Sequence, residues 1–112
     1  MKKILMIAAA LAFSASAHAG DAAAGKEKSK VCAACHGENG VSQSPDFPKL
    51  AGQYHDYLAR ALQEYKIGDR QNAIMAGFVK TLSDADIDAL ARYYADMPGK
   101  LDDLAKHEQG SD

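Results

Sequence analysis

Cysteine is scarce in this sequence of 112 residues, which contains only Cys32 and Cys35. A structural zinc site needs four close ligands, and no other cysteine is present to complete one. No segment shows the convincing two-residue alternation of a half-buried strand, so the βαβ unit of a thioredoxin-like dithiol protein is not expected. Tryptophan, internal repeats and low-complexity tracts are also absent. These absences favour a small helical domain.

The first 19 residues have the pattern of a secretory signal peptide. They combine a basic start (MKK), an apolar run over residues 4–13 and the cleavage sequence AHA at 17–19. The apolar run is too short to remain as a membrane anchor. We therefore expect cleavage after Ala19, a soluble mature chain with no membrane insertion and, for a Gram-negative source, a location in the periplasm.

Positive charge is also in short supply once this segment is removed. Loss of Lys2 and Lys3 leaves 11 basic residues against 15 acidic ones, a net charge of −4. A chain of this charge is not expected to bind nucleic acid or an anionic membrane surface. Residues 20–112 are enough for one small domain, which a covalently held cofactor would help to stabilise. The polar residues 107–112 are expected to form a frayed tail.

The two cysteines lie in the sequence Cys32-Ala33-Ala34-Cys35-His36, which is the C-x-x-C-H attachment motif of c-type haem. The spacing places the two sulfurs about one helical turn apart, within reach of the vinyl groups on one porphyrin edge. His36 follows directly and can bind the iron as the proximal ligand. The motif therefore predicts one covalently bound haem c, attached through Cys32 and Cys35 and ligated by His36.

Hydrophobic periodicity predicts an all-α domain with three main helices and two long loops. The first helix is expected to start at residues 20–21 and to run into the cysteine motif. Residues 37–51 are expected to form a loop wrapped on the cofactor. The second helix, at residues 53–67, has an apolar stripe that is expected to be core: Tyr54, Tyr57, Leu58, Ala61, Leu62 and Tyr65.

The remaining chain is predicted to form a second loop and a last helix. The loop covers residues 69–81 and is expected to contain at most a short helical turn at 72–75. Ser83 is the expected N-cap of the last helix, with Asp86 in the capping-box position. Pro98 and Gly99 are expected to stop this helix.

A sixth iron ligand is expected from a methionine, since a thioether sulfur raises the reduction potential of electron carriers. Only two methionines follow residue 19. Met75 lies in the second loop beside small residues that allow close approach to the ring, whereas the position of Met97 at the end of the last helix is explained by packing. Met75 is therefore favoured. His55, which lies off the apolar stripe, and His107, in the tail, are less favoured alternatives.

Four runs of sequence occur in the order typical of one family: CAACHG at residues 32–37, FPKLAGQ at 47–53, IMAG at 74–77 and LSDADI at 82–87. Together they resemble the class I cytochromes c, in particular small bacterial monohaem cytochrome c-553 proteins and single halves of periplasmic dihaem cytochromes c. The resemblance covers essentially the whole chain after residue 19. It implies the class I cytochrome c fold, in which three main helices and long loops wrap around one haem.

The resemblance also implies roles for individual residues. Cys32 and Cys35 would anchor the haem, and His36 and Met75 would be the axial ligands of its iron. The carbonyl of Pro48 would accept the ring N–H of His36, which would fix the tautomer of the imidazole.

In this family the first and last helices cross. The small residues Gly25 and Ser29 on the first helix suit such a crossing against Leu90 and Tyr94 on the last. Only one C-x-x-C-H motif is present, so the chain is not an intact dihaem protein. The resemblance leaves open a monohaem carrier, as a monomer or weak dimer, or a unit that pairs with a second subunit.

The function implied is that of a one-electron carrier between a donor and an acceptor protein. Histidine and methionine together leave no open position on the iron, so the chain is not expected to be an enzyme. Two other classes stay open. One is a haem sensor or small peroxidase with a displaceable sixth ligand, and the other is a thiol–disulfide protein without haem.

Small uncharged residues are expected at the haem edge, where a redox partner would dock transiently: Ala33, Ala34, Val41, Ala76, Gly77 and Phe78. The acidic charge is expected elsewhere, chiefly on the last helix at Asp84, Asp86 and Asp88. There it would set the rate of encounter rather than the strength of binding.

Overall fold

The computed structural model describes residues 17–99 of the chain. This part forms four α-helices and contains no strand: α1, Ala17–His36; α2, His55–Ile67; α3, Ala73–Val79; and α4, Asp84–Ala95. The all-α fold is confirmed, with α3 as a short addition to the three main helices. No helix in the described range is long and apolar enough to cross a bilayer. Most of the predicted signal peptide, and all of the predicted tail, lie outside the described residues.

α1 packs chiefly against α4, and Gly25 allows the two backbones to come close. A Cβ atom at Gly25 would overlap the carbonyl oxygen of Ala89 and lie 2.7 Å from Cβ of Tyr93. The helices therefore cross as the resemblance implied, but Gly25 faces Ala89 and Tyr93. Leu90 and Tyr94, each one residue further along, point about 100° further round the helix and into the core.

The core lies between α2 and α4. Leu58 of α2 is buried against Leu90, Ala91 and Tyr94 of α4. Complete burial of a large aliphatic or aromatic side chain stabilises a fold by roughly 1.5–3 kcal/mol. This cluster therefore makes a main contribution to holding α2 and α4 together.

The starts of the first two helices differ from the predicted ones by a few residues. α1 starts at Ala17 rather than at residues 20–21, because the alanine-rich sequence on both sides of Gly20 favours helix. α2 starts at His55 rather than at residue 53, since the backbone of Tyr54 is extended.

α4 begins with the predicted capping box. The Ser83 hydroxyl accepts a hydrogen bond from the backbone N–H of Asp86 at 3.1 Å, and the Asp86 carboxylate accepts one from the backbone N–H of Ser83 at 3.0 Å. The helix ends at Ala95, before Pro98 is reached. The cap satisfies two of the N–H groups that a helix start leaves without partners.

The segment predicted as a loop at residues 69–81 contains α3. Asn72 caps this helix, because its side-chain oxygen accepts hydrogen bonds from the backbone N–H groups of Ile74 and Met75 at 3.1 and 3.0 Å. The helix has only seven residues and includes Gly77, so it is too short and too irregular to show a clear period in the sequence. Met75 lies in the first turn of a helix and not in a loop, which corrects the prediction.

Only part of the predicted stripe on α2 is core. Leu58 is buried, whereas Tyr54 is 70% exposed and Tyr57 is 39% exposed. Four of the stripe residues share a wall of a cavity with Leu58: Tyr57, Ala61, Leu62 and Tyr65. The periodicity located the apolar face correctly, but most of that face is turned towards the cavity rather than towards another helix.

Candidate cofactor site

The cavity has a volume of about 510 Å³ and takes residues from all four helices and from the loop after α1. Its size is that of a small-molecule or cofactor site. The walls are mainly apolar, with Leu58 and Leu62 from α2, Leu50 from the loop, and Leu90 and Ala91 from α4. Such a cavity excludes water from most of the surface of a flat apolar ligand.

Cys32 and Cys35 line this cavity as free, half-buried thiols. Burial is the main cause that raises the pKa of Cys32, and the neighbouring Cys35 raises it further. The Cys32 thiol is therefore protonated at neutral pH. Dithiol oxidoreductases instead use a cysteine whose pKa is lowered. The raised pKa of Cys32 therefore argues against the thiol–disulfide alternative.

His36 lies at the end of α1, is only 6% exposed and lines the same cavity. Its Nδ1 is 2.7 Å from the carbonyl oxygen of Pro48. A carbonyl can only accept, so Nδ1 must carry the proton and donate. Nε2 is then the ring nitrogen with a free lone pair, the form of imidazole that binds a metal.

Among the described candidates for the sixth ligand, Met75 lines the cavity, whereas Met97 and His55 do not. Met97 packs against the α2–α4 cluster. Nε2 of His55 donates a 2.7 Å hydrogen bond to the Asp88 carboxylate. His107 lies outside the described residues. The structure thus brings Cys32, Cys35, His36 and Met75 to one cavity.

The hydroxyl of Tyr94 gives a further indication of what the cavity holds. Tyr94 is 4% exposed and lines the cavity, and its hydroxyl lies beside Ser29 and Cys32 without a well-formed hydrogen bond among the described residues. Burial raises the pKa of Tyr94, so the hydroxyl stays neutral. A buried hydroxyl without a partner costs roughly 1–3 kcal/mol. A polar atom of a bound group would satisfy it.

Apolar side chains form much of the exposed part of the cavity wall, beside the polar Asp46 and Asn72. Val31 and Ile74 are each 60% exposed and Phe78 is 45% exposed, and all three line the cavity. Two thiols, an imidazole, a thioether and mainly apolar walls fit a porphyrin better than a polar metabolite. The residues present therefore fit a haem.

Arg70 is a cavity residue that the sequence did not single out. Its guanidinium lies over the rings of Tyr57 and Tyr65, 5.8 and 5.4 Å from their centroids, and its Nε is 3.2 Å from the Glu64 carboxylate. These contacts hold a positive charge at the wall. The sequence offered one signal for this role of Arg70: a cationic residue five positions after Tyr65 of the apolar stripe, just beyond the end of α2.

The residues expected at the haem edge fall into three places. Phe78 lines the cavity. Ala33, Ala34 and Val41 line a shallow hollow on the surface, which shares Cys35 with the cavity. Ala76 and Gly77 line neither, although Gly77 is exposed and has open space around it.

Two of the three acidic residues on α4 have charged partners. Asp86 forms a 3.3 Å ion pair with Lys28, and its pKa is lowered chiefly by the hydrogen bond from the Ser83 backbone. Asp88 lies 3.5 Å from Arg92 in addition to its contact with His55. Asp84 accepts a 2.7 Å hydrogen bond from the neutral Gln63. The acidic charge of α4 is thus partly offset within the fold.

Comparison with known proteins agrees with this geometry. The family model for cytochrome c matches residues 22–97, and the chain belongs to the cytochrome c family. It is 45% identical to cytochrome c4 of Pseudomonas aeruginosa over 85% of this chain and 48% of that one. It is 42% identical to cytochrome c-554(548) of Halomonas halodenitrificans over 69% of this chain and 96% of that one.

Two further relatives are informative. The chain is 40% identical to a thiosulfate dehydrogenase electron acceptor of Thiomonas intermedia, over 87% of this chain and 45% of that one. The crystal structure of cytochrome c4 from Pseudomonas stutzeri is similar, with a TM-score of 0.65 and 33% identity over 71% of this chain and 50% of that one. The chain thus spans about half the length of its cytochrome c4 relatives.

These comparisons confirm the resemblance to class I cytochromes c and the prediction of the cofactor. The chain binds one covalently attached haem c.

Proposed function

We propose that the chain is a monohaem, periplasmic one-electron carrier that receives an electron from one redox protein and passes it to another. The observation that carries the proposal is the convergence of Cys32, Cys35, His36 and Met75 on one cavity. In this proposal Cys32 and Cys35 form the thioether bonds. His36 and Met75 bind the iron, so no position is left for a substrate.

The residues around the iron have separate tasks. When bound, haem supplies the one-electron couple of its iron. The Pro48 carbonyl holds the proton on Nδ1 of His36, which orients the ring and makes Nε2 a stronger donor. The thioether of Met75 favours reduced iron and so raises the potential. The apolar walls keep water away from both ligands.

Arg70 and Tyr94 would hold the periphery of the cofactor. Haem carries two carboxylates, and a guanidinium fixed at the cavity wall offsets negative charge there. The Tyr94 hydroxyl, which makes no well-formed hydrogen bond among the described residues, could donate one to the bound group. Arg70 and Tyr94 would therefore help to bind the haem and would not ligate its iron, because neither side chain has a sulfur or an imidazole.

The partners are proposed from one relative. Because the Thiomonas intermedia relative is named as an electron acceptor of thiosulfate dehydrogenase, we include a dehydrogenase of the same compartment among the donors to test. The chain itself acts as the carrier and not as the enzyme.

The test uses the full chain exported in a host that attaches haem. Haem staining after denaturing electrophoresis should show a covalent complex, and the reduced protein should not bind carbon monoxide rapidly. Haem that extracts into acid-acetone would contradict the attachment. Rapid binding of carbon monoxide to the native reduced protein would instead favour a sensor or peroxidase with a displaceable ligand.

A further inference from the structure

The loop that carries Pro48 is tied to two other parts of the chain immediately after this residue. The carbonyl of Gly40 accepts hydrogen bonds from the backbone N–H groups of Leu50 and Ala51, at 2.8 and 3.0 Å. The N–H of Gly52 donates to the carbonyl of Tyr94 in α4, at 3.0 Å. The position of the Pro48 carbonyl therefore depends on segments distant in sequence.

The segment after α4 packs on this loop with no space to spare. A Cβ atom at Gly99 would overlap the carbonyl oxygen of Ala51, and would lie 2.7 Å from the carbonyl carbon and 3.0 Å from Cβ of the same residue. Ala51 is completely buried, so the loop cannot yield without disturbing its neighbours. On the other side, a Cβ atom at Gly52 would overlap the carbonyl oxygen of Gly99.

Gly99 itself has no positive φ, unlike Gly52 at 74°. The backbone of Gly99 would therefore accept an alanine, and only the contact with Ala51 excludes one. A substitution at Gly99 tests this contact without adding backbone strain.

From these contacts we infer that Gly99 is a positioning residue for the haem iron. The segment after α4 presses on Ala51 through Gly99 and so sets the place of the Pro48 carbonyl, which in turn holds the His36 ring. This inference rests on the proposed function in one respect, namely that His36 ligates the iron. Gly99 does not line the cavity, so its effect passes through the loop.

A methyl group at Gly99 would displace Ala51 and weaken the hydrogen bond from His36 to Pro48. A ligating imidazole with a weaker acceptor on its other nitrogen is a poorer electron donor, so ferric iron loses stabilisation. The reduction potential should rise. We expect a severalfold to tenfold shift of the equilibrium towards the reduced protein, and tenfold corresponds to about 59 mV for one electron.

The experiment compares three holoproteins: wild type, Gly99→Ala and Gly25→Ala. The control adds the same methyl group at a different contact, between α1 and α4, where it would meet Ala89 and Tyr93. Three quantities are measured on each: the reduction potential, the exchange rate of the His36 Nδ1 proton in the reduced protein by NMR, and the melting temperature. Both variants should melt earlier, but only Gly99→Ala should raise the potential and speed exchange of the ring proton.

A second variant tests the same inference if Gly99→Ala folds too poorly to be measured. The sulfur of Met97 lies 3.1 Å from where a Cβ atom of Gly40 would be. Met97→Ala therefore loosens the packing of the segment after α4 on the loop without adding an atom. It should shift the potential and the exchange rate in the same direction, by a smaller factor.

The outcomes separate the inference from the proposed function. Suppose that the wild type carries covalent haem with His36 bound to iron. If Gly99→Ala then matches Gly25→Ala in reduction potential and in exchange of the ring proton, the inference is overturned and the proposed function is not. An equal rise of the potential in both variants also overturns it, since the role of Gly99 would then be general stability. A wild type without iron bound at His36 overturns both.

Discussion

His36 and Met75 face the same cavity, but the chain holds them by different kinds of contact. His36 is buried and its ring is bonded to Pro48, whose loop is tied to both Gly40 and α4. Met75 is half-buried in the first turn of a seven-residue helix, which among the helices contacts only α2. Its position depends on the local cap from Asn72.

The difference indicates where the site can open. In the proposed site, loss of His36 from the iron would require three segments to separate, whereas loss of Met75 would require only that one short helix unwinds. Elements with few buried contacts open at lower free energy than the core. The Met75 side is therefore the part of the site in which ligand exchange, if it occurs, should begin.

The largest effect is expected from the anchors common to both sides. Cys32→Ala combined with Cys35→Ala removes covalent attachment, and a small domain with this large cavity then lacks much of its core. We expect almost no haem-stained protein and little helical circular dichroism. A stable apoprotein that melts cooperatively would contradict this.

The next largest effect should separate the two methionines. Met75→Ala should open the iron to carbon monoxide or water and lower the reduction potential, because the thioether that favours ferrous iron is gone. Met97→Ala is the control for carbon monoxide binding. It should lose roughly 2–5 kcal/mol of packing stability and keep the iron closed to carbon monoxide, and its potential should not fall. If the two variants exchange these properties, the ligand has been assigned wrongly.

A smaller effect tests the weakness of the α3 side directly. Asn72→Ala removes the cap of α3 and should cost about 0.5–2 kcal/mol of helix stability. The population with α3 unwound should grow by about two- to thirtyfold. Carbon monoxide should then bind the reduced protein faster by a similar factor.

Ser83→Ala is the matched control, since it removes the cap of α4 away from the cavity. It should lower the melting temperature with little change in the rate of carbon monoxide binding. Equal acceleration in both variants would show that α3 is not the element that opens.

The smallest change should come from the surface. Ala34→Lys, in the hollow beside Cys35, and Gly77→Lys, on the exposed side of α3, should slow electron transfer to a partner while leaving the spectrum intact. Ala85→Lys on α4 is the control for added charge. Asp84→Asn should change mainly the salt dependence of the rate, because Asp84 has a neutral partner. Native transfer rates in both edge variants would show that partners dock elsewhere.

The sequence predicted those features whose cause is local. C-x-x-C-H needs only one helical turn to bring both cysteines and a histidine to one side. The capping box of α4 joins residues three apart, Ser83 and Asp86, and it occurs as predicted. The apolar stripe of α2 follows from the helical period alone, and the periodicity located this face correctly.

Prediction was weaker where the cause lies in other segments. A stripe indicates which residues avoid water, but it does not show whether another helix or a cofactor covers them. For this reason the pattern predicts Tyr54 and Tyr57 as core, although both are exposed. A helix of seven residues is shorter than two full periods, so the pattern predicts a loop with at most a short helical turn where α3 lies. The sequence favours Met75 over Met97 partly because it places Met75 in a loop. Met75 lies in α3 instead, but it does line the cavity.

The sequence by itself determined the anchoring chemistry, the helical composition and the caps, because each of these depends on residues within one or two turns of one another. Only the tertiary structure decided that α2 faces a cavity and that Met75 and His36 share it. It also decided that the Pro48 carbonyl lies 2.7 Å from His36, and that Gly99 supports the loop behind it. These contacts join segments 12 or more residues apart, and their geometry is set by how helices pack rather than by any local preference.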